Sequence, residues 1–115
     1  MVEVLIPDFR GRLDLLQAVV DAEPEVLAHN VETIPRLQRP VRDPRANWEQ
    51  SIQILEGAKR ARPSQLTKTS LQVGHGETEE ELLESMWLLA QSGVDFLTIG
   101  QYLQPSPQQI GRAHV

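Results

Sequence analysis

Four short apolar runs alternate along this chain with three stretches whose apolar residues recur at helical spacing, and that alternation restricts the fold more than any other feature. VEVLIPDF (Val2–Phe9) reads as a strand ended by Pro7 and Asp8. Leu13, Leu16 and Val20, widened by Leu15 and Val19, mark a helix. EVLAHNVET (Glu25–Thr33) is a second strand run that turns polar at His29 and Asn30. Residues 34–45 read as a loop with three prolines, in which Asp43 and Pro44 suit a helix N-cap and first helical position. Trp48, Ile52 and Leu55 carry the next helical stripe. LTKTSLQV then opens a third strand, followed by Gly74-His75-Gly76-Glu77. Thr78 and Glu81 are spaced as a capping box ahead of Leu82, Leu83, Met86 and Leu89. Glu79, Glu80 and Glu81 place negative charge at the positive end of that helix. Gly93 suits its end, and VDFLTIG (Val94–Gly100) is a fourth strand.

Strands that alternate with helices imply right-handed crossovers and a parallel sheet. The expected fold is α/β, a partial (β/α) barrel of four parallel strands alternating with three helices. The strands are expected near residues 2–7, 25–30, 67–73 and 95–99, adjacent in chain order, with the helices on one side. A complete barrel takes roughly 250 residues, and two open sheet edges invite aggregation. Both considerations suggest a piece of a larger domain. No repeat, linker or internal boundary stands out.

The formal net charge of −5 argues against a nucleic-acid or membrane-surface binder, either of which wants a basic face. No run of 18 apolar residues and no signal-peptide pattern is visible. Cysteine is absent, which excludes disulfides, thiolate metal sites and cysteine nucleophiles within these residues. His29 and His75 lack metal-ligand company, so no metal site is expected.

Parallel α/β folds bind ligands at the carboxyl ends of their strands. Polar residues collect at all four such ends: Asp8 and Arg10; His29, Asn30 and Glu32; Gly74 to Glu77; and Gly100 with Gln101. Each has a plainer reading. Gly74 and Gly76 can serve the turn alone. Glu77 can simply charge a helix start, and His75 can be an exposed turn residue. Lys68 can snorkel from a sheet edge. Arg36, Arg39, Arg42 and Arg45 can be solvated, or can hold a carboxylate. Trp48 and Trp87 fall on apolar helix faces and are expected in the core.

The ordered blocks VEVLIPDFRG, HNVETIPRL with its following VR, LTKTSLQVGHGETEEE and VDFLTIGQYLQPS resemble the lipoyl synthase family of radical S-adenosylmethionine enzymes. The resemblance implies a partial radical S-adenosylmethionine barrel over residues 1–109. It implies two [4Fe-4S] clusters in the whole enzyme, one to cleave S-adenosylmethionine and one to donate sulfur. The substrate would be an octanoyl chain on a lipoyl carrier domain, for example the glycine cleavage H protein or a 2-oxoacid dehydrogenase E2 subunit. An unactivated C–H bond offers acid–base side chains nothing to attack, so the cofactor must carry the chemistry. Cofactor-binding roles carried over by the resemblance fall on Asn30, Glu32, Lys68, Ser70, Gly74, Gly76, Glu77 and Gln101, with Glu77 toward ribose hydroxyls. The implied location is the bacterial cytoplasm, or the mitochondrion or plastid of a eukaryote.

The chain departs from the family pattern at Gln72, where a methionine is usual, and at His75, where an apolar residue is usual. It lacks the C-x-x-x-C-x-x-C cluster segment, the amino-terminal cysteine set and the carboxyl-terminal arginine-serine-serine segment. Residues 110–115, IGRAHV, replace the family's histidine-leucine-proline-valine run and look like a translated sequencing adapter, hence a non-native tail. Without cysteine these residues are expected to be inactive alone. The alternatives are another radical S-adenosylmethionine enzyme, similar to biotin synthase, and a non-catalytic half-barrel binding module.

Overall fold

The computed structural model describes residues 1–42 and 45–101. Asp43 and Pro44, read above as a helix start, and the segment 102–115 with its supposed tail lie outside the described residues. Four strands, β1 (Glu3–Leu5), β2 (Val26–Ala28), β3 (Leu66–Val73) and β4 (Phe96–Gln101), form one sheet in the order β1-β2-β3-β4. Every neighbouring pair is parallel. The expected topology therefore holds.

The crossovers are α1 (Leu13–Asp21), α3 (Trp48–Ala61) and α4 (Glu79–Gln91), with a short α2 (Gln38–Val41) ahead of α3. The segment expected to be a loop thus carries a 3₁₀ turn, Pro35–Leu37, that runs into α2. Pro40 sits in the first turn of α2, where its missing N–H removes no intrahelical bond. Asn47 is the N-cap of α3, its Oδ1 accepting the Gln50 N–H at 2.7 Å. The Thr78/Glu81 capping box of α4 is present in both directions.

Alternation along β3 divides the sheet into two faces. Thr67, Thr69 and Leu71 are buried toward the helices, while Lys68 and Ser70 on the other face are half-buried. The helix-covered face holds two adjoining cores. Leu16 and Val20 of α1 meet Leu27, Ile54 and Ala58 in one; Val31, Trp48, Leu55, Leu71 and Leu89 form the other. Gly57 lets α1 close on α3, since a Cβ there would lie 3.0 Å from a Leu16 methyl. Among the described residues no helix covers the opposite face, where Leu5 and Phe96 are exposed. Trp48 is core as expected, but Trp87 is 61% exposed, because α4 turns Met86 and Leu89 rather than Trp87 toward the sheet.

Candidate functional site

A cleft of about 700 Å³ opens at the carboxyl ends of β1 and β2, lined among others by Ile6, Asp8, His29, Asn30, Glu32 and Arg42. Its first wall is a forced turn. Phe9, Arg10 and Gly11 take φ of 50°, 53° and 78°, all in the left-handed region. Two of the three carry side chains that disfavour it. Asp8 holds the turn: Oδ1 accepts the Arg10 N–H at 3.0 Å and Oδ2 accepts the Gln50 amide at 2.7 Å. Partial burial raises the Asp8 carboxyl, but these two bonds outweigh it and hold it below the usual range.

The second wall is a bulge. Ala28 pairs with Lys68 and Glu32 with Leu71, so the chain beyond β2 uses one residue more than β3 over the same span. His29 and Val31 turn into the helix-covered core, and Asn30 between them faces the cleft. Glu32 closes the bulge at φ 70° and returns to the ladder, its N–H donating to Ser70 O and its own carbonyl accepting from Gln72. Strained non-glycine backbone on both sides of one cleft is the pattern that functional sites show.

Under the cleft lies a polar network. His29, 3% exposed, places Nδ1 3.0 Å from Ile6 O and Nε2 2.8 Å from Ser51 Oγ. Arg42 Nη1 donates to Ser51 Oγ at 2.9 Å and to Gln38 Oε1 at 2.8 Å. Its Nη2 reaches Asn30 O at 3.3 Å. Gln38 is itself fixed, its amide donating to Thr33 O and Val31 O. Burial pushes both His29 and Arg42 toward their neutral forms; for Arg42, nearby Glu32 and Asp8 oppose that push.

The residues singled out from the sequence do not all meet here. Asn30 and Glu32 line the cleft. Lys68 is no edge residue: from an inner strand it crosses β2 to pair with Glu3 at 3.0 Å. Ser70 shares the Lys68 face, one strand over from Glu32. Gly74 and Gly76 take φ of 101° and 104°, and a Cβ at Gly76 would meet nothing within 4 Å. Glu77 turns its carboxylate onto its own loop, accepting from Gly74 N at 2.6 Å and His75 N at 3.0 Å. Desolvation raises the Glu77 carboxyl, but the backbone N–H donors outweigh it and hold it below the usual value. Gln101 is in register with Val73, so alternation assigns it to the face opposite Lys68 and Ser70. His75 is half-buried rather than exposed.

Two residues outweigh their sequence signal. Arg36 binds Glu81 in a fork of 2.6 and 2.9 Å and donates to Gly76 O at 3.0 Å, clamping the glycine turn to α4. With Arg36 and the Thr78 N–H donating to it, the Glu81 carboxyl falls to about 2. Arg42 lines the cleft beside Arg10 and Arg45 and is held by the buried network beneath it. Nothing in its spacing separates it from Arg39, which is exposed.

The radical SAM superfamily profile matches residues 1–89. The chain belongs to the radical SAM superfamily. Its relatives include the lipoyl synthase of Thermus thermophilus, 54% identical over 96% of this chain and 34% of that protein. The mitochondrial lipoyl synthase of Xenopus laevis is 48% identical over 96% of this chain and 30% of its own length. The chloroplastic lipoyl synthase of Arabidopsis thaliana is 54% identical over 93% and 27%. The chain thus spans about a third of the length of these relatives. They come from bacterial, mitochondrial and chloroplast settings alike. Among the described residues no helix is long and apolar enough to cross a membrane.

Proposed function

We propose that these residues are part of a lipoyl synthase, which inserts two sulfur atoms into an octanoyl chain held on a lipoyl carrier domain. The observation that carries this is identity of about half to lipoyl synthases from a bacterium, an animal and a plant, along nearly the whole chain. The partner is an octanoylated carrier domain, with neither nucleic acid nor membrane involved.

The cleft suits S-adenosylmethionine by its donor set. Glu32 can accept from hydroxyl or ammonium groups, Asn30 offers an amide, and Arg42 can hold a carboxylate. When bound, that ligand supplies the hydrogen-abstracting radical chemistry. The residues' own work is to orient it and to keep water from it. Ser70 and Lys68 extend the polar face beyond Glu32, whereas Glu77 acts by fixing the shape of the Gly74–Gly76 turn. Iron–sulfur clusters do not fit these 115 residues, which contain no cysteine.

The test is anaerobic reconstitution of the complete open reading frame that encodes these residues, with an octanoylated carrier domain and S-adenosylmethionine. Mass spectrometry should show two sulfur atoms gained on the carrier. An intact product that binds S-adenosylmethionine but leaves the octanoyl chain unchanged would overturn the reading. The 115 residues alone should take up no iron and form no lipoyl group.

A further inference from the structure

His29 is a buried imidazole that the proposed chemistry does not use, yet both its ring nitrogens are bonded and one bond leads to the cleft. The direction of every proton in that chain follows from what each partner can do. Ile6 O only accepts, so the proton of His29 sits on Nδ1. Arg42 only donates, so Ser51 Oγ accepts from Nη1 and directs its own hydrogen to Nε2. A proton on Nε2 would take the second lone pair of Ser51 Oγ, and the Ser51 hydrogen would then lose Nε2 as its acceptor. The neutral ring is the arrangement in which every donor of this chain of bonds meets an acceptor within it.

The consequence for Arg42 is geometric. Nη1 is fully committed to Ser51 and Gln38, with a longer contact of 3.3 Å to Asn47 O. Nη2 spends one hydrogen on Asn30 O. Among the described residues, the remaining Nη2 hydrogen and Nε have no protein acceptor, and Arg42 lines the cleft. One edge of the guanidinium is pinned and the other is left for a ligand.

We propose that His29 and Ser51 are positioning residues, which fix the Arg42 guanidinium at the cleft through a single order of hydrogen bonds, Arg42 to Ser51 to His29 to Ile6 O. The groups that face the imidazole are Ile6 O just past β1, Asp8 from the turn after it, Ser51 from α3, and Arg42. Burial lowers the ring's pKa against the opposing bond to Ile6 O, and Arg42 and Asp8 pull in opposite directions, so the balance lies toward the neutral form. The role as a ligand-positioning device rests on the S-adenosylmethionine reading. The order of hydrogen bonds does not.

The experiment has two arms, both on the intact product of the reading frame. In the first, long-range proton–nitrogen correlation spectra of the protein before reconstitution report the ring of His29, assigned by its loss in His29→Gln. The expected spectrum shows the Nδ1–H tautomer, unchanged from about pH 8 to 6, where a free histidine titrates. An Nε2–H tautomer or ordinary titration overturns the proposal. In the second, S-adenosylmethionine affinity is measured on the reconstituted enzyme. His29→Gln keeps an acceptor toward Ser51 and should stay within about threefold of wild type, whereas His29→Asn keeps only the Ile6 side and should lose about tenfold. Ser51→Ala should show the same loss, and Ser51→Ala with His29→Asn together should lose no more than either alone, since both cut one chain. Asn performing as well as Gln, or additive losses, would reduce His29 to a strut between strands. If wild type binds no S-adenosylmethionine, the functional reading falls, and the spectra of the first arm still decide the hydrogen-bond order.

Discussion

The carboxyl ends of β2 and β3 look alike in sequence and are built for opposite purposes. Each follows an apolar run with a cluster of polar residues, His29-Asn30-Val31-Glu32 in one and Gly74-His75-Gly76-Glu77 in the other. At β3 the polar groups are spent on the turn itself. Glu77 caps Gly74 and His75, and Arg36 ties Gly76 O to Glu81. At β2 the groups are spent on one another beneath a cleft, and the edge of Arg42 that remains faces outward. A glycine pair with a carboxylate is the louder signal, yet it records backbone conformation. The quieter signal, a bulge around a buried histidine, marks the wall of a cleft.

The contrast breaks first on the two arginines. Arg42→Met in the intact enzyme should weaken S-adenosylmethionine binding by about ten- to a hundredfold, the scale of losing a charge-assisted hydrogen bond. It should also lower the melting temperature, because Ser51 and Gln38 lose a buried partner. Arg36→Met should leave affinity within about twofold and lower the melting temperature only slightly, as exposed ion pairs do. Equal losses of affinity from both variants would mean that the glycine turn is as much part of the site as the cleft.

The two ends should also separate on the pH axis. His29 is depressed from 6.5 by burial, so the unfolded chain binds a proton that the folded chain refuses. Stability therefore falls as pH drops below about 6.5. Glu81 drops from 4.5 to about 2 through Arg36 and the Thr78 N–H, so its contribution is complete above 4.5 and is lost toward 2. Glu77, Asp8 and Asp95, lowered as well, share that acid limb. Melting curves from pH 8 to 2 should show both limbs. His29→Gln should flatten only the upper one and Glu81→Gln should reduce only the lower one. An upper limb that survives His29→Gln would show that another group, and not the His29 ring, produces it.

What could be read from the sequence follows the range of the forces involved. The parallel sheet, its order and the α4 capping box were legible, because strand period, helix period and caps are local. The second strand was expected over residues 25–30, and only the register of Glu32 against Leu71 exposes the bulge that ends β2 at Ala28. Lys68 looked anomalous because its partner Glu3 lies two strands away and 65 positions earlier. Trp87 looked like core because apolar spacing around α4 does not say which side meets the sheet. Of the residues that line the cleft, Asn30, Glu32 and Asp8 had been singled out from their places at strand ends. Arg42 stood out only as one of four similar arginines and Ser51 not at all, since their contacts lie 9 to 22 positions apart.

A smaller effect tests what the glycines mean. Gly76 sits at φ 104° with open space where a Cβ would go. Gly76→Ala should therefore cost about 1–2 kcal/mol of stability through backbone strain alone. Affinity for S-adenosylmethionine should not change. A large loss of affinity at unchanged stability would show instead that a ligand lies against that backbone.

Glu77 is the subtlest case, because the resemblance assigns it to ribose hydroxyls while the fold spends it on its own turn. Each carboxylate oxygen already accepts one backbone N–H, Gly74 on one and His75 on the other. Each keeps a further lone pair, so a ribose contact is sterically open but must share a carboxylate that is already engaged. Glu77→Gln retains one acceptor oxygen and turns the other into a donor aimed at a backbone N–H. The loop should loosen by roughly 0.5–1 kcal/mol, a value kept low by solvent screening. The acid limb of stability should shrink a little, since a carboxylate whose pKa is lowered in the fold has been removed. Affinity should fall by about threefold or less, well short of the Arg42 variant. The melting temperature and the binding constant of one reconstituted variant measure both. A loss of tenfold or more with an unchanged melting temperature would move the ligand from the β2 cleft toward the β3 turn, and the ranking of the two strand ends would reverse.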